Sequence, residues 1–347
     1  MPNTFIALSG GVDSAVAASL LLRSGHDLSG IHLQLLPSPD SKDAQDAAAV
    51  ARTLGFPFHL LDLSQAFRET VIQDFIREYQ QGRTPNPCAL CNRRIKFGAL
   101  LDHALALGAN FLATGHYARI QQRDGRFLLL RGLDRAKDQS YFLYGLTQHQ
   151  LSHALFPLGS LDKPQVRHLA EERGLVNARR RDSQDICFVP KGRYAGFIES
   201  ASGRPALPGD FLDAEGRVLG RHRGIIRYTH GQHKGLGLST EEPLYVLDKD
   251  PVSNTVRLGP DSALWSRSLT ADRVNWIAIP ALEGPMEVTA KTRYSQHEAE
   301  ALAEPLPDGQ LRLTFREPQR AVTPGQAVVL YDGEMVLGGG TILHAGP

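Results

Sequence analysis

The N-terminal part of the chain alternates short apolar runs with alanine-rich or amphipathic segments. The apolar runs predict strands at Phe5–Leu8, Leu28–Leu36, Phe58–Leu63 and Asn110–Thr114. The segments between them predict helices at about 12–23, 44–54, 65–81 and 93–107. Ser41 is expected to cap the second helix, and Gly25 and Gly55 to end the first two. Strands that alternate with helices predict an α/β fold with a doubly wound parallel sheet.

Three loops that follow predicted strands carry polar or glycine-rich sequences. SGGVDS follows the first strand, LLPSPD the second and GHYAR the fourth. Since ligands bind at the carboxyl ends of the strands in such sheets, we expect these loops to converge on one crevice.

The pattern changes from about Ala206. Helical periods disappear, and short β-like runs recur between Gly, Pro and Asp turns, which is typical of small barrels or sandwiches. The segment 201–210 is the best linker candidate, and a second break is expected near 266–272. A chain of 347 residues is too long for one ordinary core. We therefore predict a catalytic domain at 1–205, a small β-rich central domain at 206–268 and a C-terminal β-barrel domain at 269–347.

Composition narrows the class of protein. The hydrophobic fraction is 42% and the charged fraction 22%, with no apolar run long enough for a membrane span, so we expect a cytoplasmic protein without a membrane partner. The net charge is only +1, so an RNA partner would be held by local basic patches. The basic clusters at 179–181 and around 217–227 are, taken alone, better explained as solvated faces.

SGGVDS, residues 9–14, stands between the first predicted strand and helix. Its glycines let the backbone approach a phosphate, Ser9 and Ser14 offer hydroxyls, and the helix N-terminus offers free N–H groups. Asp13 fits a carboxylate that holds Mg²⁺ on a pyrophosphate. A tight turn capped by Ser9 or Asp13 is the structural alternative. The string differs from the G-x-x-x-x-G-K-[ST] loop and resembles the pyrophosphate loop of ATP pyrophosphatases.

The chain has three cysteines, which make a poor disulfide set in a reducing compartment. Cys88 and Cys91 form a C-x-x-C, and Cys187 lies in the apolar string ICFV. On its own, Cys187 is well explained as a core cysteine.

Cys91 has the surroundings of a nucleophile. Pro85 and Pro87 stiffen the preceding loop, and we expect a helix to begin just after Cys91. A thiol at a helix N-terminus, close to the basic residues of NRRIKF, should have a lowered pKa and a larger thiolate fraction. A partly buried small hydrophobe is the alternative.

Taken together, the chain resembles the tRNA-specific 2-thiouridylases, ATP pyrophosphatases that thiolate the wobble uridine of certain tRNAs. The resemblance covers essentially the whole sequence. It rests on ALSGGVDS, GRTPNPCALCNRRIKF, ATGHYAR, RGLDRAKDQSYFL, LFPLGSLDKPQVR, DSQDICFV, GQHKGLG, PLYVLDKD, KTRYSQ and AVTPGQAVVLY.

The resemblance implies a reaction and its residues. ATP would adenylate the uridine C2 oxygen and release pyrophosphate, with Asp13 as a catalytic residue. Cys187 would carry a persulfide delivered by a sulfur-carrier protein or a cysteine desulfurase relay, and Cys91 would be the nucleophile. The implied ATP-binding residues are Ala7, Leu8, Ser9, Gly10, Gly11, Val12, Asp13, Ser14, Leu33 and Gly115.

The resemblance also implies contacts with tRNA. The matching positions are Asn86, Pro87, Cys88, His116, Lys137, Asp138, Gln139, Arg293, Tyr294 and Gln326. The basic and aromatic residues among them suit phosphate contact and base stacking.

Cys88 departs from the family, which usually has Asp at this position. A C-x-x-C with one distal cysteine can hold an iron–sulfur cluster, so Cys88, Cys91 and Cys187 as cluster ligands are an alternative mechanism. Lining of the base pocket by Cys88 is the simpler explanation.

Two further alternatives concern function. An amide-forming ligase of the ATP pyrophosphatase superfamily would share SGGVDS, but it would have no use for paired cysteines or a β-rich RNA platform. An RNA-binding module could instead hold ATP as a structural ligand without turnover.

Overall fold

The computed structural model describes residues 1–37, 41–175, 186–190 and 192–346. The strands of its N-terminal part are β1 (Asn3–Ala7), β2 (Asp27–Gln34), β3 (Phe58–Asp62), β4 (Phe111–Ala113), β5 (Ala118–Arg123), β6 (Arg126–Arg131) and β7 (Ala154–Leu155). The helices are α1 (Val12–Arg23), α2 (Lys42–Leu54), α3 (Ser64–Phe67), α4 (Gln73–Gln80), α5 (Pro87–Cys91), α6 (Leu101–Ala106), α7 (Gln148–Ser152), α8 (Lys163–Glu172) and α9 (Tyr194–Ser202). The π-helical segments Arg68–Ile72 and Asn92–Leu100 join α3 to α4 and α5 to α6.

The predicted parallel sheet is confirmed. Five strands pair in the order β3-β2-β1-β4-β7, and every neighbouring pair is parallel. Both faces are covered, because consecutive residues of β1 enter different cores: Phe5 packs with the segment before and within α6, and Ile6 with α1, α2 and α8. This alternation is the period of two expected for a strand.

The capping residues act as the sequence predicts. The Ser41 side chain accepts a hydrogen bond from the Ala44 N–H at 3.2 Å, which satisfies one free donor of α2. Gly55 ends that helix at φ +79°, and Gly25, just beyond α1, has φ +80°. The predicted bounds of the first helix, 12–23, are those of α1.

The predicted start of the cysteine helix is wrong. The helix begins at Pro87, not after Cys91, and its N-cap is Asn86, whose side chain accepts from the Ala89 N–H at 3.2 Å. Proline is favoured at the first helical position, since its missing N–H is one that the helix leaves unbonded. Cys88 is therefore the second helical residue and Cys91 the fifth.

The rest of the chain is mostly β-structure, as predicted. Its strands are β8 (Gly209–Leu212), β9 (Val218–His222), β10 (Tyr245–Asp250), β11 (Thr255–Gly259), β12 (Trp265–Trp276), β13 (Met286–Lys291), β14 (Ala299–Pro305), β15 (Leu311–Arg320), β16 (Ala327–Asp332) and β17 (Met335–Gly346). The first four form a sheet in the order β10-β11-β8-β9. The last six form a barrel in the order β12-β15-β14-β13-β16-β17, closed by pairing of β12 with β17.

The hairpin of β5 and β6 was not predicted. Asp124 and Gly125 form its turn, both at positive φ, and β6 pairs with β17 so that Met335 lies opposite Leu130. The hairpin therefore extends the C-terminal sheet to eight strands, in continuity with the N-terminal part of the chain.

The three parts share their cores. One apolar cluster joins Phe97 and Leu112 to Val329 and Tyr331 of the barrel, and another joins Phe75 to residues of the central sheet. β12 runs unbroken through 266–272, where the sequence suggested a second break. The linker candidate 201–210 includes the end of α9, the connection 203–208 and the start of β8. Within the described ranges, no helix is both long and apolar enough to cross a bilayer.

Candidate active site

The loop between β1 and α1 has the geometry of a phosphate cradle. The Ser14 hydroxyl accepts from the Ser9 N–H at 3.2 Å and donates to the Gly11 carbonyl at 3.1 Å. Gly10 has φ +73°, and a Cβ there would lie 2.6 Å from the Asp43 carbonyl oxygen of α2. A glycine is therefore required for both conformation and space. The loop ends at Gly11, the N-cap of α1, whose N–H donates to the Ser9 hydroxyl at 3.3 Å.

The flanking residues expected at the ATP site surround this loop. Ala7 ends β1, and Leu8 continues it with an N–H that donates to the Ile31 carbonyl at 2.9 Å. Val12 opens α1, and Leu33 lies near the carboxyl end of β2. All four therefore lie at the sheet edge where ligands of doubly wound folds bind.

Asp13 is held by two residues that the sequence analysis missed. The Lys163 ammonium lies 2.8 and 2.9 Å from its two carboxylate oxygens, and the Tyr117 hydroxyl donates to Oδ1 at 2.9 Å. Lys163 is the first residue of α8 and is buried, as is Tyr117. A cation thus already occupies the place beside Asp13 where the sequence suggested Mg²⁺.

The loop after β4 packs directly on the phosphate loop. A Cβ on Gly115 would lie 2.8 Å from the Ser14 nitrogen and 2.9 Å from the Asp13 carbonyl carbon, so the two loops meet backbone to backbone. His116 follows, buried between Phe97 and Phe156, with Nδ1 at 2.7 Å from the Thr114 hydroxyl. Burial, and then the charge of Lys96, holds the pKa of His116 well below its usual range, so its ring is neutral.

Cys91 is not the low-pKa thiol that the sequence predicted. It lies in an apolar cluster with Phe67, Phe75 and Ile95, and its side chain is buried. Burial raises the pKa of Cys91 to about 12, and the opposing effect of Lys96 is smaller. Because α5 begins at Pro87, four residues before Cys91, Cys91 also lies beyond the helix end that would have stabilised a thiolate.

Cys187 is brought to the same region by its neighbour Phe188. That ring is buried and contacts Phe67, Phe75 and Phe197 at centroid distances of 5.5, 5.2 and 5.4 Å. Cys187 itself is exposed. Phe188 therefore anchors the segment in the cluster that contains Cys91, and leaves the Cys187 thiol accessible.

The charge of Lys96 acts on the pKa of all three thiols. Crowded surroundings raise the pKa of Cys88 and Cys187, although both have solvent-exposed surface, and in each case Lys96 opposes the rise. Cys187 in turn raises the pKa of both Cys88 and Cys91, so the three thiols act on one another electrostatically. Among the described residues, no group of three His, Cys, Asp or Glu side chains is arranged to hold a metal ion.

Part of the expected RNA-contacting set forms an outward surface. Tyr294 is 38% exposed, its ring lies 4.6 Å from that of Phe142, and the Lys291 ammonium stands 5.5 Å above it. Burial raises the pKa of Tyr294, and Lys137 opposes the rise, so Lys137 lies near this ring. Two cations from distant parts of the chain, Lys137 and Lys291, thus act on one exposed aromatic ring.

Other members of that set are used inside the protein. Asp138 is buried and accepts from the N–H groups of Gly132 and Ser140, both at 3.0 Å. The Gln139 side chain accepts from the Tyr117 N–H at 3.0 Å and so positions a partner of Asp13. Arg293 donates to the Ala321 carbonyl at 2.9 Å.

Residues of the 82–87 loop that are expected to contact tRNA also make contacts within the protein. Asn86 caps α5, Pro87 is buried, and Gln326 bonds the carbonyls of Thr84 and Pro85. Only Cys88 of the expected base-contacting triplet has an exposed side chain. The basic cluster at 179–181 lies outside the described residues.

Comparison with known proteins assigns the chain to a family. It is 47% identical to the tRNA-specific 2-thiouridylase of Acetivibrio thermocellus over 98% of this chain and 99% of the relative. It is 48% identical to those of Caldanaerobacter subterraneus subsp. tengcongensis and Geotalea uraniireducens, over 97% and 98% of this chain and 96% and 94% of theirs. The chain belongs to the family of tRNA-specific 2-thiouridylases.

Three family models match successive parts of this thiouridylase chain. A model described as a tRNA methyl transferase HUP domain matches 2–191, a PRC-barrel domain 196–260 and an aminomethyltransferase β-barrel domain 266–342. The first description names a methyl transferase, whereas the relatives that match along the whole chain are named thiouridylases. Full-length identity near one half is the stronger criterion, so the chain is grouped with the thiouridylases.

Proposed function

We propose that the chain transfers sulfur to C2 of the wobble uridine of tRNA after ATP has adenylated the C2 oxygen. Membership in the 2-thiouridylase family supports this reaction and substrate. The observation that carries the proposal is a series of neighbouring residues that links the phosphate loop to the three thiols. Gly115 packs on the phosphate loop, His116 follows it, and Lys96 acts on His116 and on all three thiols.

The first step activates the uridine. Its C2 oxygen attacks the α-phosphorus of ATP, the bond to the β-phosphate breaks, and pyrophosphate leaves. The free N–H groups at the start of α1 and the hydroxyls of Ser9 and Ser14 are suited to hold the phosphates. Asp13 does not fit a magnesium ligand as placed, because both its oxygens already face Lys163. Lys163 itself supplies positive charge there.

The second step delivers sulfur. Cys187 takes the outer sulfur of a persulfide on a sulfur-carrier protein or a cysteine desulfurase relay, so that Cys187 becomes the persulfide and the donor is left as a thiol. Its terminal sulfur attacks C2, and AMP leaves with the former C2 oxygen. The Cys91 thiolate then attacks the Cys187 sulfur, which releases 2-thiouridine and forms a Cys91–Cys187 disulfide. Two electrons from an external dithiol restore both thiols. In the variant order, Cys91 attacks the persulfide first and frees hydrosulfide, which then attacks C2.

The exposed Cys187 and the buried Cys91 suit these different roles. A carrier must be reached by its donor, and Cys187 is exposed. A resolving nucleophile must be kept from other oxidants, and burial does this for Cys91. Because burial also raises the pKa of Cys91 to about 12, the thiol has to lose its proton at the step in which it attacks. The unpaired thiols and the RNA substrate are consistent with work in the cytoplasm.

The iron–sulfur alternative is less well supported. Among the described residues, no three His, Cys, Asp or Glu side chains are grouped so that they could hold a metal ion, whereas a persulfide relay needs only two thiols. Thiolation by protein free of iron, without a visible charge-transfer band after anaerobic reconstitution, would exclude the cluster.

Two assays test the proposal. Pyrophosphate exchange into ATP should require tRNA and be lost in Asp13→Ala; ATP binding without exchange or thiolation would refute turnover and favour an RNA-binding module. With inorganic sulfide as donor, Cys187→Ser should regain thiolation, because sulfide replaces its persulfide. Failure of sulfide to rescue Cys187→Ser would contradict a carrier role.

A further inference from the structure

The loop that leads to the thiols is held by the C-terminal barrel. The Thr84 N–H donates to the Pro324 carbonyl at 2.9 Å. The side-chain amide of Gln326 donates to the carbonyls of Thr84 and Pro85, both at 3.1 Å. Gly325 lies between these contacts at φ +90°, and a Cβ there would be 3.0 Å from the Thr84 backbone. The two backbones therefore meet directly, although 242 positions separate Gln326 from Thr84.

Each end of the same loop is fixed by other means. At its start, Arg83 forms a two-pronged ion pair with the buried Glu78 at 2.6 and 2.8 Å, and a Cβ on Gly82 would lie 3.0 Å from the Lys249 carbonyl oxygen. At its end, Asn86 caps α5. The barrel contacts fall between these points, one residue before the cap that sets where the cysteine helix begins.

We propose that Gln326 is a positioning residue that fixes the start of α5, and with it Cys88 and Cys91, relative to the phosphate loop. The two bonds account for both hydrogens of its amide nitrogen, so this nitrogen is committed to the loop. The barrel thereby becomes part of the catalytic apparatus. This inference rests on the proposed sulfur transfer and adds a role for the C-terminal domain in it.

The barrel also offers a matched control. Gln319 donates from its amide to the carbonyls of Glu317 and Pro318, at 2.9 and 3.3 Å, within its own strand. Gln326→Met and Gln319→Met each replace one partly buried side-chain amide by an apolar side chain of similar shape. Only Gln326→Met removes hydrogen bonds to the loop 82–87. Because Met is of similar length and Gln326 keeps its backbone bonds to Thr323 and Ile342, the barrel should fold.

Three measurements distinguish positioning from RNA contact. In full-length Gln326→Met, we expect amide hydrogen exchange of 82–91 to accelerate about tenfold, since two bonds to the loop are lost. The kcat of thiolation at saturating tRNA should fall about tenfold, because a small misplacement of a reacting group is costly. The Kd for tRNA should stay within about twofold. Gln319→Met should match the wild type in all three.

The opposite pattern would overturn the inference. Weaker tRNA binding in Gln326→Met, with unchanged kcat and unchanged hydrogen exchange, would make Gln326 an RNA contact. Hydrogen exchange of 82–91 at the wild-type rate in Gln326→Met would refute the positioning role and leave the proposed function unaffected. Gln326→Glu gives a second variant of the same shape, whose carboxylate would repel the two carbonyls, so its exchange should be at least as fast. Wild-type protein that thiolates no tRNA would refute the proposed function instead.

Discussion

The buried state of Cys91 makes a quantitative prediction about its reactivity. Its pKa rises from the ordinary 9.0 to about 12. The thiolate is the reactive form, so at pH 8 its fraction falls from about one in ten to about one in ten thousand. The shift corresponds to about 4 kcal/mol in favour of the neutral thiol.

Alkylation of a single-cysteine protein measures this shift. In Cys88→Ser, Cys187→Ser protein, Cys91 is the only cysteine left. Iodoacetamide labelling, followed by intact mass from about pH 7 to about pH 10, should accelerate about tenfold per pH unit without a plateau. The pH dependence, rather than the absolute rate, separates a raised pKa from limited access. Labelling in urea supplies the rate of the unperturbed thiol.

A plateau below about pH 9 would refute the reasoning, because it would show a thiolate stabilised as the sequence alone suggested. Lys96→Met in the same background tests the opposing charge. Removal of that ammonium should raise the pKa further and slow labelling at every pH, whereas unchanged labelling would mean that Lys96 does not act on this thiol.

Three other substitutions test the site. Lys163→Met should lower the free energy of unfolding in urea by about 3 kcal/mol, because it leaves the Asp13 carboxylate without its ion-pair partner. Adding Asp13→Asn should recover part of that loss, and additive losses would contradict the pairing. Gly115→Ala should lower tRNA-dependent pyrophosphate exchange about tenfold or more, since a Cβ would lie 2.8 Å from the Ser14 backbone nitrogen. Gly196→Ala is the control and should leave exchange unchanged, because Gly196 in α9 has open space around it. In a Cys88→Ser, Cys91→Ser background, Phe188→Ala should speed alkylation of Cys187, because the ring contacts with Phe67, Phe75 and Phe197 are lost. An unchanged rate would show that Phe188 does not anchor the segment that carries Cys187.

Features with a local cause could be predicted from the sequence. The bounds of α1 follow from a glycine turn before it and a polar, glycine-bearing end after it, and Ser41 caps α2 because its hydroxyl reaches an N–H three residues on. The parallel sheet follows from the alternation of apolar strands with helices. Asp124–Gly125 is a turn signal between two β-like runs, so the β5–β6 hairpin could have been found in the same way.

Features that depend on distant residues could not be predicted. Lys163 and Tyr117 lie 150 and 104 positions from Asp13, so no spacing pattern connects them. The charges near Cys91 are visible in the sequence and favour a thiolate, but the apolar cluster that outweighs them is assembled from separate segments. The prediction failed because burial, a tertiary property, was larger than the local electrostatic effect.

The pairing of β6 with β17 has a consequence for how the chain is made. The hairpin leaves the ribosome about 200 residues before the strand that covers its edge. At ordinary synthesis rates that interval is about 10 to 40 s, during which the peptide groups of β6 have no native partner on that side. A nascent chain stalled in this interval would present an open strand edge, and truncation before Met335 would leave the edge permanently uncovered. We therefore expect the N-terminal half, expressed alone, to associate with itself.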